Sequence, residues 1–111
     1  MTSTLIHMYR GQPGVAATLL HTVAALSTDR ILSCVACNDT TTAVTFTMYL
    51  VPSGGSAGVT NMIVNAKTLA SGESLVVSEA IGHVLAAGAM IYALASSADQ
   101  VTLTITGQRL Q

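Results

Sequence analysis

The sequence predicts an all-β, single-domain antiparallel β-sandwich, jelly-roll-like, of about eight short strands. Three observations predict it. Apolar and polar residues alternate with a period of two over most of the chain. Turn chemistry recurs often enough to cut the chain into short segments. Finally, half of the residues are hydrophobic and only 8% are charged, so the surface must be Thr, Ser, Ala, Asn and Gly, or much of it must be buried against other copies; threonine suits a half-exposed pleated face without adding charge.

In chain order, Thr4–Tyr9 reads as the first strand or as an arm reaching a neighbour. Residues 1–13 are accordingly set apart from the sandwich domain, 14–111. Ala17–Val23 reads as a strand, although Val15, Leu19, Leu20 and Val23 would also stripe a helix. Ile31–Cys37 alternates and is ended by the turn cluster Asn38-Asp39-Thr40. Val44–Leu50 is the clearest strand: Val44, Phe46, Met48 and Leu50 point one way, and Thr45, Thr47 and Tyr49 the other. Weaker strands follow at Met62–Ala66, Ser74–Val77 and Ala89–Ala95. Val101–Thr106 closes the set, with Val101, Leu103 and Ile105 facing a core and three threonines facing out. Gly11–Gly14, Ser27–Asp29, Pro52–Ser56 and Ser96–Asp99 supply the turns between strands. Leu69-Ala-Ser-Gly-Glu-Ser-Leu75 is echoed by Leu85-Ala-Ala-Gly-Ala-Met-Ile91, which predicts two corners built alike, each turned by its glycine into the next strand.

The length of 111 residues fits one domain with one aliphatic core, since there is no Trp and a single Phe. The four cations, Arg10, Arg30, Lys67 and Arg109, are scattered. They form no basic patch for a phosphate backbone, so no nucleic-acid partner is expected. No secretory leader is evident at the N-terminus. The charge-free run Ala80–Ala95 is just long enough to imitate a membrane span, but Gly82, His83 and Gly88 interrupt it and no cationic anchors flank it; no membrane partner is expected.

Few residues point to chemistry. Cys34 and Cys37 form a lone Cys-x-x-Cys, and strand alternation places them on opposite faces; two reduced thiols are expected, with no metal and no cofactor. Asp29, Asp39 and Asp99 fall in expected turns and Glu73 follows a turn glycine, so solvated loop acids are expected rather than a catalytic pair. No Gly-x-Ser-x-Gly elbow is present, and Ser53–Gly58 lacks the spacing and the Lys of a phosphate-binding loop. An enzyme is therefore not expected. His21 sits in a strand, at a core edge or a subunit contact, and His83 just before one; both read as structural histidines, with a pH-sensitive interface as the sharper alternative. Tyr49 falls on a threonine face, where it either packs across strands or anchors a partner or a sugar ring. The candidate partner contacts are thus Leu5, Ile6, Met8, Tyr9, His21 and Tyr49.

Taken together, Leu20-His-Thr-Val23, Arg30–Asn38, Ala43–Gly54, Asn65, Leu69–Glu73, Leu85–Gly88 and the Thr-rich closing strand resemble small β-sandwich structural proteins of tailed bacteriophages. The resemblance covers roughly residues 17–108 and rests on turn-and-strand patterns. It implies a virion protein, assembled in the host cytoplasm as a symmetric homo-oligomer, often a trimer, that decorates the capsid or sits on neck, tail or fibre parts. Its partners would be further copies of itself and the major capsid protein or other virion proteins. A capsid decoration (cement) protein is the first expectation, a neck or tail adaptor the second, and a carbohydrate-binding module a third of a different class.

Overall fold

The computed structural model describes residues 2–111. Nine strands build two antiparallel sheets. They are β1 (Ser3–Gly11), β2 (Thr18–Thr22), β3 (Thr28–Asn38), β4 (Val44–Val51), β5 (Met62–Leu69), β6 (Ser74–Val76), β7 (Val84–Leu85), β8 (Met90–Ala95) and β9 (Val101–Leu110). The first sheet has the order β1-β9-β3-β6, with the short β7 also paired to β3; the second has the order β2-β8-β4-β5. One short 3₁₀ turn, Val59–Asn61, is the helical content of the described residues. The expected all-β sandwich is the observed architecture.

The alternation works as expected where one face of a strand meets the core. Phe46 and Met48 from β4, Ile91 from β8, Ile31 from β3, and Leu103 and Ile105 from β9 are fully buried between the sheets, and Thr102, Thr104 and Thr106 are half-exposed on the far side of β9. Within residues 17–23 the chain forms a strand, β2 at Thr18–Thr22, and not a helix, because Leu20 enters the core while Leu19 pairs with Tyr92 on the outer face. The two echoed corners are built alike. Leu69 and Leu85 are buried, Gly72 and Gly88 hold φ of +73° and +82°, and Glu73 and Ala89 each donate a backbone bond of 3.0 Å to the residue three before. A positive φ is the conformation glycine adopts without Cβ strain.

Three expectations change. Ser27–Asp29 is not a turn: the chain reverses at Ala24–Leu26, where Leu26 takes φ +62°, and β3 begins at Thr28 because β9 continues to Leu110 and pairs with it. Thr47 is buried rather than outward and exposed, because its hydroxyl accepts the Ala66 N–H at 3.0 Å where β5 bulges at a positive φ of +47°. Ala80–Ala95 is turn, β7, turn and β8, and no helix among the described residues is long and apolar enough to cross a membrane.

The first sheet is pinched. Both neighbours of β9 carry one extra residue at the same level, Met8 in β1 and Leu32 in β3, opposite the Ile105–Gly107 stretch. Such bulges bend and twist a ladder locally. Here the twist turns Met8 into the core, over Gly107.

Candidate functional site

The densest chemistry lies between the sheets at one end of the sandwich. Asp29 (β3) and Arg109 (β9) are cross-strand partners. Arg109 donates from Nε to Oδ1 at 2.8 Å and from Nη2 to Oδ2 at 2.9 Å, the two-pronged geometry in which guanidinium and carboxylate match best. From β2 in the opposite sheet, His21 brings Nε2 to within 2.8 Å of the same Oδ2. The Asp29 side chain is fully buried, against 13% exposure for His21 and 22% for Arg109. Burial pushes the Asp29 carboxyl up, but hydrogen bonds and charge from Arg109 and His21 outweigh it and hold the pKa below its ordinary 3.8. Asp29 is therefore not a solvated loop acid, as its sequence neighbourhood predicts. His21 is a core-edge histidine whose ring is committed to its own chain rather than presented to a partner.

Chemically this triad is a clasp. Its acid is spent on two partners, and two surface hollows of the molecule are lined by other residues: Leu50–Ser53 with His83–Ala87 and Ala89 in one, and Leu5–His7, Leu32, Thr106 and Gly107 in the other. The remaining acids lie apart from it. Asp39 and Asp99 are exposed in turns, the Glu73 carboxylate accepts the Ala70 N–H at 2.8 Å, and Glu79 pairs with Lys67 at 3.0 Å on the surface. His83 is exposed, not a packed structural histidine; its carbonyl accepts the Ile31 N–H. Cys34 and Cys37 are both free thiols on opposite faces. Cys34 is fully buried, and burial together with the charge of Glu79 pushes its pKa to about 12. Among the described residues no three His, Cys, Asp or Glu side chains gather as metal ligands.

What the molecule presents outward is mainly neutral. Across the second sheet, Leu19, Tyr92, Tyr49 and Met62 are successive cross-strand partners on β2, β8, β4 and β5, forming one apolar row over four strands. Leu19 is half-exposed and the other three are partly so. No charged residue lies on β2, β4 or β8. The first sheet's outer face carries the threonines of β9, Val35 and Val76, with Arg10 and Arg30 as its cations. Leu5 is 77% exposed beside Leu32.

The six candidate contact residues thus separate. Leu5 is open to solvent and Tyr49 sits in the apolar row. Ile6 and Tyr9 are half-buried against the core, and Met8 is inside it. The clasp takes His21. Because β1 contributes Met8 to the core and pairs along β9, removing residues 2–10 would strip the fold and not merely an accessory arm.

Sequence reasoning passed over two residues that matter. Asn38, taken as a turn former, is fully buried; its amide donates to the carbonyls of Thr42, Leu69 and Ala70, and its oxygen accepts from Thr40. It ties the end of β3 to the end of β5 across the two sheets. Gly107 has no room for a side chain, since a Cβ would collide with the Arg30 carbonyl and the Met8 methyl. The signal for Asn38 was a turn residue directly following an alternating strand; Gly107 had none within its own segment.

A scan against protein-family models finds no match, and a search of curated proteins finds none. Among solved structures, the chain aligns with one from "Structure of infectious bursal disease virus Gx strain" at TM-score 0.47 and 16% identity. The alignment covers 97% of this chain and 30% of that one.

Proposed function

We propose that this chain is a non-catalytic structural subunit of a virion, present in many copies, and specifically a decoration protein that stabilises a bacteriophage head by non-covalent contacts. The observation that carries this reading is the surface. A domain with four Lys and Arg and five Asp and Glu in 111 residues exposes one sheet face crossed by a row of leucine, tyrosine and methionine and another of threonines and valines, with Arg10 and Arg30 as its cations. Charged groups are costly to bury at an interface unless paired, whereas neutral faces desolvate cheaply. The acid that could have supplied chemistry, Asp29, is locked in a structural clasp. The phage resemblance of residues 17–108 supports the same reading.

The mechanism is clamping: a rigid sandwich laid across neighbouring capsid subunits adds buried area that must be exposed before they separate. A cryo-EM map of the virus that encodes the chain tests this. Sandwich density repeated over the capsid lattice is the expected result. Density confined to a neck, tail or fibre would transfer the role to an adaptor, and density nowhere on the particle would refute the reading.

The cross-strand neighbours Tyr49 and Tyr92, both partly exposed, favour one second reading, a carbohydrate-binding surface, because a tyrosine offers an apolar ring face with a polar tip. Saturable binding on a glycan array, abolished by Tyr49→Ala, would favour it over the capsid role.

A further inference from the structure

The two sheets have unequal edges. In the second sheet, β2 is five residues long and broken by a register shift between Leu19 and His21; β5 is bulged at Ala66 and carries Lys67, ion-paired with Glu79. In the first, β6 and β7 are three and two residues long. Short length, bulges and lysine are the devices that keep an edge from pairing with another chain. The last edge, β1, lacks them over its first six residues. It runs nine residues, has no Asp, Glu, Lys or Arg between Ser3 and Met8, and is regular until its bulge at Met8.

The ladder fixes which backbone groups that edge exposes. Thr2 and Gln111 exchange both N–H···O bonds, so they form a hydrogen-bonded pair. In an antiparallel ladder such pairs alternate with pairs that make none. Thr4 and Ile6 therefore bond to Arg109 and Gly107 of β9, while Ser3, Leu5 and His7 turn their N–H and C=O to the open side. On the outer face, Leu5 stands 77% exposed next to Leu32.

We propose that β1 pairs with β1 of a second copy, antiparallel about a two-fold axis at Leu5. This deepens the multi-copy reading above and rests on it for the supply of copies. The register is set by the exposed groups: Leu5 faces Leu5 of the second copy, and Ser3 faces His7 in both directions. All three outward residues of each strand then find partners, giving about six hydrogen bonds. Directly opposed residues lie on the same face of a sheet, so the two Leu5 side chains meet, flanked by the Leu32 of each copy, and cover the exposed apolar patch. No like charges are brought together between Ser3 and His7. The first sheets of the two copies become one continuous sheet. The axis is two-fold, so this contact makes a dimer and not a trimer.

The test uses the whole chain. Leu5→Pro removes an N–H that β9 does not use, so the fold is expected to survive while the edge loses its central donor. Light scattering across the micromolar range should give the native chain about twice its 11.3 kDa mass and Leu5→Pro the single-chain mass, with matching thermal melts. As a second measurement, Leu5→Cys in a Cys37→Ser background should give a disulfide-linked dimer on oxidation, and Val59→Cys, exposed away from the edge, should not. A native chain that stays monomeric, or a Leu5→Pro variant that keeps the native mass, or no cross-link at position 5, overturns the pairing. A multimer that ignores Leu5→Pro would leave the virion reading standing on another surface; absence from virions would remove that reading whatever the solution mass.

Discussion

Asp29 decides more at the residue scale than any other position. Its carboxyl is buried and its folded pKa lies below 3.8, so its contribution to stability is present above the unfolded value and lost as pH falls through the folded one. Thermal melts of the native chain should therefore decline on acidification below about pH 4. Asp29→Asn should be less stable by about 3 kcal/mol at neutral pH, because it leaves Arg109 without its counter-charge, and should show a flatter acid limb. Equal acid limbs in the two proteins would contradict the clasp. Glu79 is also held below its ordinary value, chiefly by the hydrogen bond from Lys67, but this pair is on the surface and contributes little to that limb. The two thiols give a second test. With its pKa pushed to about 12 and no exposed surface, Cys34 should resist iodoacetamide in the native protein, while half-buried Cys37 is modified. Modification of both thiols without denaturant would show that the core opens readily. None of this was legible at Asp29 from the sequence: an acid in Ser-Thr-Asp reads as a turn, and the cation that buries it lies eighty residues away.

At the scale of elements, legibility followed packing. β4 and β9 declare themselves because apolar residues alternate with Thr and Tyr along both, and only Thr47 of the expected outward threonines is buried. β7 is two residues long and leaves no pattern to read. The start of β3 was missed because its pairing partner, the far end of β9, extends past the alternating Val101–Thr106 through Gly107–Leu110. Gly107 sits where the first sheet leaves no room for a side chain. It accepts Met8 above it and the Arg30 carbonyl beside it, at the level where both flanking strands bulge. Gly107→Ala should destabilise the domain by about 2 kcal/mol through forced displacement of backbone. Chemical denaturation measures it, and an unchanged midpoint would mean that the pinch in the sheet is not tight. Asn38→Ala should cost a similar amount, about 2 kcal/mol, by removing the buried amide that joins the Thr42, Leu69 and Ala70 carbonyls.

At the scale of the whole molecule, the charges that remain are either paired or kept off the second sheet's face. Arg109 with Asp29 and Lys67 with Glu79 are internal pairs, Asp39 and Asp99 occupy turns, and β2, β4 and β8 carry none. The composition foretold such a surface, and the alternation located it on the sheets; the apolar row from Leu19 to Met62 required the strand order, which no local pattern contains. A chain built in this way is suited to being covered, and the central claim is that many copies of it are covered in a virion. Quantitative mass spectrometry of purified virions tests that claim most directly. A copy number comparable with that of the major capsid protein is expected; a handful of copies per particle would contradict the decoration role, and none at all would contradict a place in the virion.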